Sequence, residues 1–426
     1  MNFVILPHQL FSTKYLDKMN KYYIWEHPHY FLKYKYNKKK LILHYGSMKY
    51  YYDYLNDKGF KVKYIKTYDK FDLDDYCIFD PIDKIKLPGN YTIVDTPNLI
   101  LTRDEHAIYR KKTKKFRFND FYMFSKESKG ILSGIKSQDK LNRKKMGKNV
   151  FPPPLPKYRD KKYISYGVKK IGAIQNIGNV HDFIYPLTHK TAKLWLNDFL
   201  EKKFKKFGTY QDAIDTCDPY LFHTVLSASI NIGLLNPVEI IIKILKCRYI
   251  PLNSLEGLIR QYFWREFQAY CYRYAKFDGK NYFRNRNKLN KDWYIGNTGI
   301  PPVDDAIVDG ISSGYLHHIQ RLMVVGNYMN LSRIAPSEGY RWFMEFSCDS
   351  YEWLMYQNVL DMVFFVSGGE TTRKPYISSS NYILKMSNYK KGEWCDVWNK
   401  KYKDFIKSNK DKLYKFRYHF RSVKFI

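Results

Sequence analysis

The chain has 426 residues, of which 45% are hydrophobic, enough for a large core and about two domains. It carries 73 Lys and Arg against 41 Asp and Glu, a net charge of +32 that favours a polyanionic partner such as nucleic acid, although compositional drift in a Lys-rich proteome would also raise this charge. Six scattered cysteines without a C-x-x-C pair argue against a disulfide framework or zinc knuckle, and neither a signal peptide nor a bilayer-spanning apolar run is evident.

Residues 1–132 alternate between short apolar runs and a helical pattern. A helix is predicted over residues 41–58, with a stop at Gly59. Strands separated by helices are typical of a doubly wound parallel sheet, so we expect an α/β domain here. The predicted strands are residues 3–6, 22–25, 61–65, 77–80 and 91–94.

Residues 133–180 form a predicted connector that is basic and rich in proline. Positive charge crowds residues 136–148, which include Arg143, Lys144 and Lys145, and prolines stiffen residues 151–156. One interpretation is a basic arm that lies along DNA phosphates. The other is a solvated linker.

Residues 181–426 are predicted to form a larger all-α domain. An amphipathic helix is expected over residues 188–207. His223, Thr224 and Ser227 precede another apolar segment, where hydroxyl groups and a helix N-terminus favour an anion. Helix capping and packing explain the same residues without a ligand.

The segment around His317, His318 and Arg321 combines an apolar stripe with clustered polar groups. Its apolar residues recur at helical spacing, which predicts one buried face. The two histidines and the arginine lie three or four residues apart, so they share a neighbouring face. This pattern indicates a polar pocket inside a helical domain; a helix edge with ordinary histidines is the alternative.

Three motifs carry a family resemblance. They read G-Y-L-H-H-I-Q-R-L-M-V-V-G-N from Gly314, Y-E-W from Tyr351, and G-G-E-T-T-R-K-P-Y-I-S-S-S-N-Y-I-L-K-M-S from Gly368. They resemble the photolyase–cryptochrome family, most closely its prokaryotic (6-4) photolyase-related branch. The resemblance implies an antenna-like N-terminal domain, whose chromophore is unknown, and a helical domain that binds FAD.

The resemblance also implies roles for individual residues. His317, His318 and Tyr376 match acid–base and orienting groups, and Trp342 matches an electron-transfer step. Trp264 and Gln261 match the substrate pocket. Arg143, Lys144 and Lys145 are predicted to contact DNA. The implied cofactor contacts are His223, Thr224, Ser227, Arg265, Arg321, Asn358 and Ser367.

The flavin-facing loop departs from the family pattern. Val363 and Phe364 replace a Ser-Gln pair, and Ser367 replaces the aspartate that pairs with the arginine matching Arg321. Arg321 is therefore expected to need another acceptor, such as the flavin ring, Asp361 or water.

The ligands of the bacterial iron–sulfur cluster depart as well. The first cluster cysteine aligns with Ile241, and residues 389–393 lack the Tyr-Cys-x-x-Cys pattern. Cys395 remains without partners at cluster spacing. We predict no iron–sulfur cluster and no other metal.

The resulting hypothesis is a photolyase-like flavoprotein that repairs UV-induced pyrimidine lesions in double-stranded DNA under light, most simply (6-4) lesions. The alternatives are a catalytically degenerate DNA-binding or packaging protein, and a cryptochrome-like light sensor. A monomer is expected, in the cytoplasm or nucleus, or in the virion of a large A+T-rich DNA virus. We expect no membrane association and no secretion.

Overall fold

A five-stranded parallel sheet forms the N-terminal part of the chain. The computed structural model describes residues 1–172 and 174–420, so the predicted end of the helical domain at residue 426 lies outside the described residues. The strand order is β3-β2-β1-β4-β5, the order of a doubly wound sheet. The strands are β1 Asn2–Ile5, β2 Lys21–Trp25, β3 Lys61–Ile65, β4 Tyr76–Phe79 and β5 Tyr91–Val94.

The five predicted strands are confirmed, but the expected alternation with helices is only partly correct. One crossover, between β2 and β3, contains a long helix, α2 (Lys38–Asp57), preceded by the one-turn α1 (His29–Leu32). Within the described residues, a short 3-10 turn joins β1 to β2, and irregular loops join β3 to β4 and β4 to β5. Helices α3 (Arg103–Lys112) and α4 (Phe118–Lys129) follow the last strand.

Part of the predicted connector packs against the N-terminal part. Helix α5 (Lys161–Lys170) crosses α2 closely, because glycines lie on both helices at the crossing. A Cβ atom on Gly46 would lie 2.8 Å from the carbonyl oxygen of Tyr163, and one on Gly167 would lie 2.9 Å from that of Ile42. Larger residues at these two positions would separate the helices.

The rest of the described chain is mostly helical, as expected. Thr188 caps α6 through a hydrogen bond from the Thr191 backbone N–H. The helices are α6 His189–Lys202, α7 Phe204–Phe207, α8 Ser227–Asn231, α9 Pro237–Leu245, α10 Leu252–Tyr274, α11 Asp292–Ile295, α12 Pro301–Ser313, α13 Asn327–Leu331, α14 Pro336–Phe346, α15 Glu352–Met355, α16 Asn381–Met386, α17 Glu393–Ser408 and α18 Lys410–Leu413.

Two segments of the described helical part are π-helices. They are Gln320–Gly326, which follows the His-His pair, and Tyr356–Val363, which enters the flavin-facing loop. The first was expected to be an α-helix; its apolar residues are buried as predicted, but its backbone is wider. Such π segments are rare and often occur at functional sites.

The helical part contacts the sheet at the carboxyl ends of the strands. The Leu10 backbone N–H, after β1, donates to the Ile232 carbonyl at 3.0 Å. After β4, Asp83 accepts from the Trp353 N–H at 2.8 Å. No helix among the described residues is long and apolar enough to cross a membrane.

Candidate cofactor site

Two adjoining cavities lie inside the helical part, between α8, α10 and the two π-helices. Their volumes are about 260 and 220 Å³, and together they reach the range of cofactor sites, about 300–1,000 Å³. Nine residues line both cavities, so the two spaces are continuous. These residues are Thr224, Ser227, Leu258, Gln261, His318, Arg321, Asp349, Met355 and Asn358.

An ion pair between Arg321 and Asp349 forms the wall where the cavities meet. Nη1 and Nη2 of Arg321 lie 3.0 and 3.3 Å from the two carboxylate oxygens of Asp349. The Nε atom of Arg321 donates to the Leu316 carbonyl at 2.7 Å. The guanidinium is therefore fixed in one orientation. Of the acceptors expected for Arg321, which were the flavin ring, a carboxylate such as Asp361, or water, a carboxylate serves, but it is Asp349 and not Asp361.

Hydroxyl groups complete the coordination of Asp349. Ser227 donates to Oδ2 at 2.6 Å, and Ser347 donates to Oδ1. Burial raises the pKa of Asp349, but Arg321 and the two hydroxyls outweigh it and hold the pKa below its ordinary value. Ser227 therefore lines the cavity with its hydroxyl bonded to the Asp349 carboxylate. It is also the first residue of α8.

Two neutral imidazoles stack at the cavity wall. The rings of His223 and His317 lie 4.8 Å apart, with planes within 12°. Burial lowers the pKa of His223 to about 3 and that of His317 well below its ordinary value. Both ring nitrogens of His317 and Nε2 of His223 are buried without a hydrogen-bond partner. These atoms are available to a polar ligand group.

His318 exposes its ring to the space where the two cavities meet. Desolvation, followed by the charge of Arg321, lowers the pKa of His318 to about 4. The ring is therefore neutral at pH 7 and able to accept a proton. Asn358 stands on the same wall, with its Oδ1 buried and unpartnered.

Helix α10 presents Trp264 and Arg265 to the second cavity. Trp264 stacks on Phe267 at 5.4 Å, which leaves it half-buried at the cavity edge. Arg265 is already engaged, because its guanidinium donates to Asn98 at 2.6 and 2.7 Å and to Asn231 at 3.0 Å. Arg265 therefore ties the N-terminal part to the cavity wall. Its predicted cofactor contact would have to use guanidinium N–H groups that these bonds leave over.

Ser367 does not line either cavity, contrary to its predicted cofactor contact. Its hydroxyl donates to Asp361 at 2.5 Å, and its backbone N–H donates to the same oxygen at 3.0 Å. Asp361 also accepts from the Thr371 N–H at 3.1 Å. The loop is thus folded around Asp361, and this geometry turns Ser367 away from Arg321.

The other two loop departures are accommodated by glycine. Val363 lines the first cavity and packs on Gly326, where a Cβ atom would lie 2.8 Å from a Val363 methyl group. Phe364 packs on Gly339, where a Cβ atom would lie 2.3 Å from the ring. The two π-helices therefore approach each other without closing the cavity.

The predicted DNA contacts and Tyr376 lie outside the cavity lining. Arg143, Lys144 and Lys145 are exposed, and Arg143 forms an ion pair with Asp139 at 2.5 Å. Tyr376 is half-buried and close enough to Asp139 and Arg143 to interact electrostatically. These residues stand together near one side of the cavity, and their roles stay predictions.

Trp342 is fully buried behind the cavity wall. Its ring lies 5.2 Å from that of Phe343, which lines the first cavity, and its Nε1 donates to the Trp293 carbonyl at 2.7 Å. An aromatic path thus leads away from the cavity, with phenylalanine as its first ring.

No group of three or more His, Cys, Asp or Glu in the described part of the chain is arranged to hold a metal ion. Cys395 is buried as a free thiol in α17, and Ile241 is buried in α9. The predicted lack of a cluster stays a prediction.

Comparison with known proteins shows what the chain is similar to. A family model described as "Deoxyribodipyrimidine photo-lyase-related protein" matches residues 3–77. A (6-4) photolyase of Agrobacterium fabrum is 28% identical over 429 aligned positions, which cover 88% of this chain and 84% of that protein. Both matches agree with the photolyase-related resemblance of the three motifs. The family resemblance and the predicted fold class are therefore confirmed.

A solved structure and a viral protein extend the comparison. The crystal structure of a bacterial class III photolyase from Agrobacterium tumefaciens matches with a TM-score of 0.54 and 13% identity, covering 95% of this chain and 86% of that one, so the fold is shared. An uncharacterized protein, R855, of Acanthamoeba polyphaga mimivirus is 56% identical over 92 residues, covering 21% of this chain and 75% of R855.

Sequence reasoning missed Asp349, Ser347 and Asp212, which lines the first cavity and lies 3.8 Å from Arg143. The signal for Asp349 was its position two residues before Tyr351, just ahead of the Y-E-W motif that carried the resemblance. No local pattern identifies it as the partner of Arg321, because 28 residues separate the two.

Proposed function

We propose that the chain is a FAD-binding photolyase that repairs UV-induced pyrimidine lesions, of the (6-4) type, in double-stranded DNA. The observation that carries this proposal is the Arg321–Asp349 pair at the junction of two continuous cavities, beside the neutral imidazoles. The family relationship and the similarity to a (6-4) photolyase support it.

The cavity residues fit a flavin. The unpartnered nitrogens of His223 and His317 and the unpartnered oxygen of Asn358 await polar atoms of a ligand. The Arg321–Asp349 ion pair adds fixed donor and acceptor groups next to the hydroxyl group of Thr224, which suits polar atoms of a ligand. Bound there, a reduced flavin supplies the electron that an excited state donates to a lesion.

The chain's own residues would receive and orient the lesion. Gln261 and His318 line both cavities, and Trp264 offers a flat ring at the edge of the second, which suits a base flipped out of a duplex. His318 is neutral at pH 7 and would hold or move a proton at a ring nitrogen. A bound anion would raise its pKa by offsetting the charge of Arg321.

The charge of +32 supports double-stranded DNA as the partner through phosphate contacts, and the mimivirus relative supports a large DNA virus as the source. The same charge also supports the rival function, a DNA-binding protein without flavin chemistry. The flavin content of the purified protein distinguishes the proposed function from this rival.

The test is the absorption spectrum of the purified protein, followed by repair of a duplex oligonucleotide that carries one (6-4) lesion, with and without blue light. We expect flavin bands and light-dependent restoration of the bases. The variant His318→Asn should keep the flavin and lose repair. A colourless protein that still binds DNA would replace this proposal with the rival.

A further inference from the structure

The connector crosses the cavity region as a strap, residues 138–144, that is fixed to the helical part. Asn142 is buried and donates to the Gln211 side chain at 2.9 Å, while the Lys144 N–H donates to Thr209 at 3.1 Å. Gly257 on α10 makes room for Asn142, since a Cβ atom there would lie 2.8 Å from its amide nitrogen. The strap is therefore anchored through the Asn142 side chain and the Lys144 backbone, independently of its charged side chains.

Asp139 on this strap holds two arginines at once. One carboxylate oxygen lies 2.5 Å from Arg143, and the other lies 2.8 Å from Arg260 of α10. The Asp139 side chain is 41% exposed, whereas that of Arg260 is 12% exposed and lies beside the fully buried Glu256. Arg260 is thus a preorganised cation that keeps one buried anionic partner, Glu256 at 3.5 Å, while its other partner, Asp139, faces solvent. Arg143 also lies 3.8 Å from a second carboxylate, that of Asp212.

Other groups that suit a phosphate surround this carboxylate. Asp139 interacts electrostatically with Tyr376, Tyr382 and His318, and Lys374 interacts with Arg143. His318 lines both cavities, so the cluster stands at the mouth of the candidate cofactor site.

We propose that Asp139 occupies a phosphodiester-binding site formed by Arg143, Arg260 and Lys374, and that DNA displaces this carboxylate when it reaches the cavity. A diester phosphate offers two anionic oxygens to two guanidinium groups, as the carboxylate does now. The inference rests on the proposed function, because it takes DNA as the ligand of this mouth. Asp139 then weakens binding of undamaged DNA, since each phosphate must compete with it.

The test is the affinity of the full-length variant Asp139→Asn for an undamaged duplex of about 15 base pairs, measured by fluorescence anisotropy at several salt concentrations. We expect affinity to rise about threefold to tenfold at low salt, because phosphate no longer competes with a carboxylate, and the gain to shrink as salt screens the charges. Asp139→Glu keeps the charge and should remain near the parent.

The matched control is Glu239→Gln, which removes the same charge from an ion pair with Lys14 that lines neither cavity. It should change affinity less than twofold. Arg260→Gln should weaken binding and abolish the gain in Asp139→Asn. If Asp139→Asn binds no more tightly than Glu239→Gln, the inference is overturned, whatever the flavin content.

The outcomes separate this inference from the proposed function. A colourless protein whose Asp139→Asn variant binds DNA more tightly would remove the enzyme and keep the phosphate site. A yellow, repair-active protein without that gain would do the reverse. If no variant binds the duplex, both fail.

Discussion

Two carboxylates, Asp349 and Asp361, each accept four hydrogen bonds, but their donors differ. Asp349 accepts two bonds from Arg321 and one each from Ser227 and Ser347, which come from separate parts of the chain. Asp361 accepts all four from the backbone and hydroxyl groups of Ser367 and Thr371, within ten residues.

This difference distinguishes a carboxylate that belongs to the candidate cofactor site from one that only supports a loop as a scaffold. The Asp349 network fixes a cation on the cavity wall, where a ligand can meet it. The Asp361 network uses neutral donors and lines neither cavity, and Asp361 itself is fully buried, so the network only shapes its own loop. The serine that replaces the family's aspartate therefore belongs to the scaffold, and Arg321 keeps a carboxylate.

The largest expected effect comes from Asp349→Asn, which leaves Arg321 without a counter-charge. Breaking a buried ion pair on one side costs about 3–5 kcal/mol, so we expect a large loss of unfolding free energy and loss of the flavin from the folded protein. Urea unfolding and the ratio of flavin to protein absorbance measure the two effects. Full flavin retention would contradict the assignment of Asp349 to the site.

Asp361→Asn tests the same comparison at the carboxylate that lies outside the cavity. Asparagine keeps one acceptor, but at least one N–H of the loop loses a charged partner, which costs about 1.5–3 kcal/mol. The flavin-to-protein ratio of the folded fraction should stay at the parent value. A loss of flavin as large as that of Asp349→Asn would erase the distinction between site and scaffold.

The two serines give a smaller, matched pair of substitutions. Ser227→Ala and Ser367→Ala each remove a hydroxyl that donates to one of the carboxylates, and each should cost about 1–1.5 kcal/mol of unfolding free energy. Only Ser227→Ala should weaken flavin binding, measured by the flavin released during dialysis. Equal release from both variants would contradict this expectation.

Whether a feature could be predicted from the sequence depends on how far apart in the chain its interacting residues lie. Strand positions and the buried stripe around Leu322 depend on local patterns, so they were predictable. The π-helical backbone was not, because the same apolar spacing also fits an α-helix. The Arg321–Asp349 pair could not be predicted for another reason. The resemblance indicated residue 367 as the partner of Arg321, and only the folded loop shows that Ser367 is bonded to Asp361 instead.

The smallest effect tests the acid sensitivity of the cavity. The pKa of His223 is lowered to about 3 from an ordinary 6.5, so below pH 6.5 the unfolded chain binds a proton there that the folded chain does not. The stability contributed by neutral His223 is therefore complete above pH 6.5 and falls as the pH falls towards 3. Between pH 7 and 5.5 this loss amounts to about 1 kcal/mol.

His223→Asn should remove that part of the loss, so its unfolding free energy should fall by about 1 kcal/mol less than the parent's between the two pH values. His181→Asn, at an exposed position, is the matched control and should behave as the parent. The measurement is urea unfolding of flavin-free protein at both pH values. If His223→Asn loses as much stability as the parent, the imidazole is not held neutral at the cavity wall, and the stacked histidine pair loses its place among the ligand contacts.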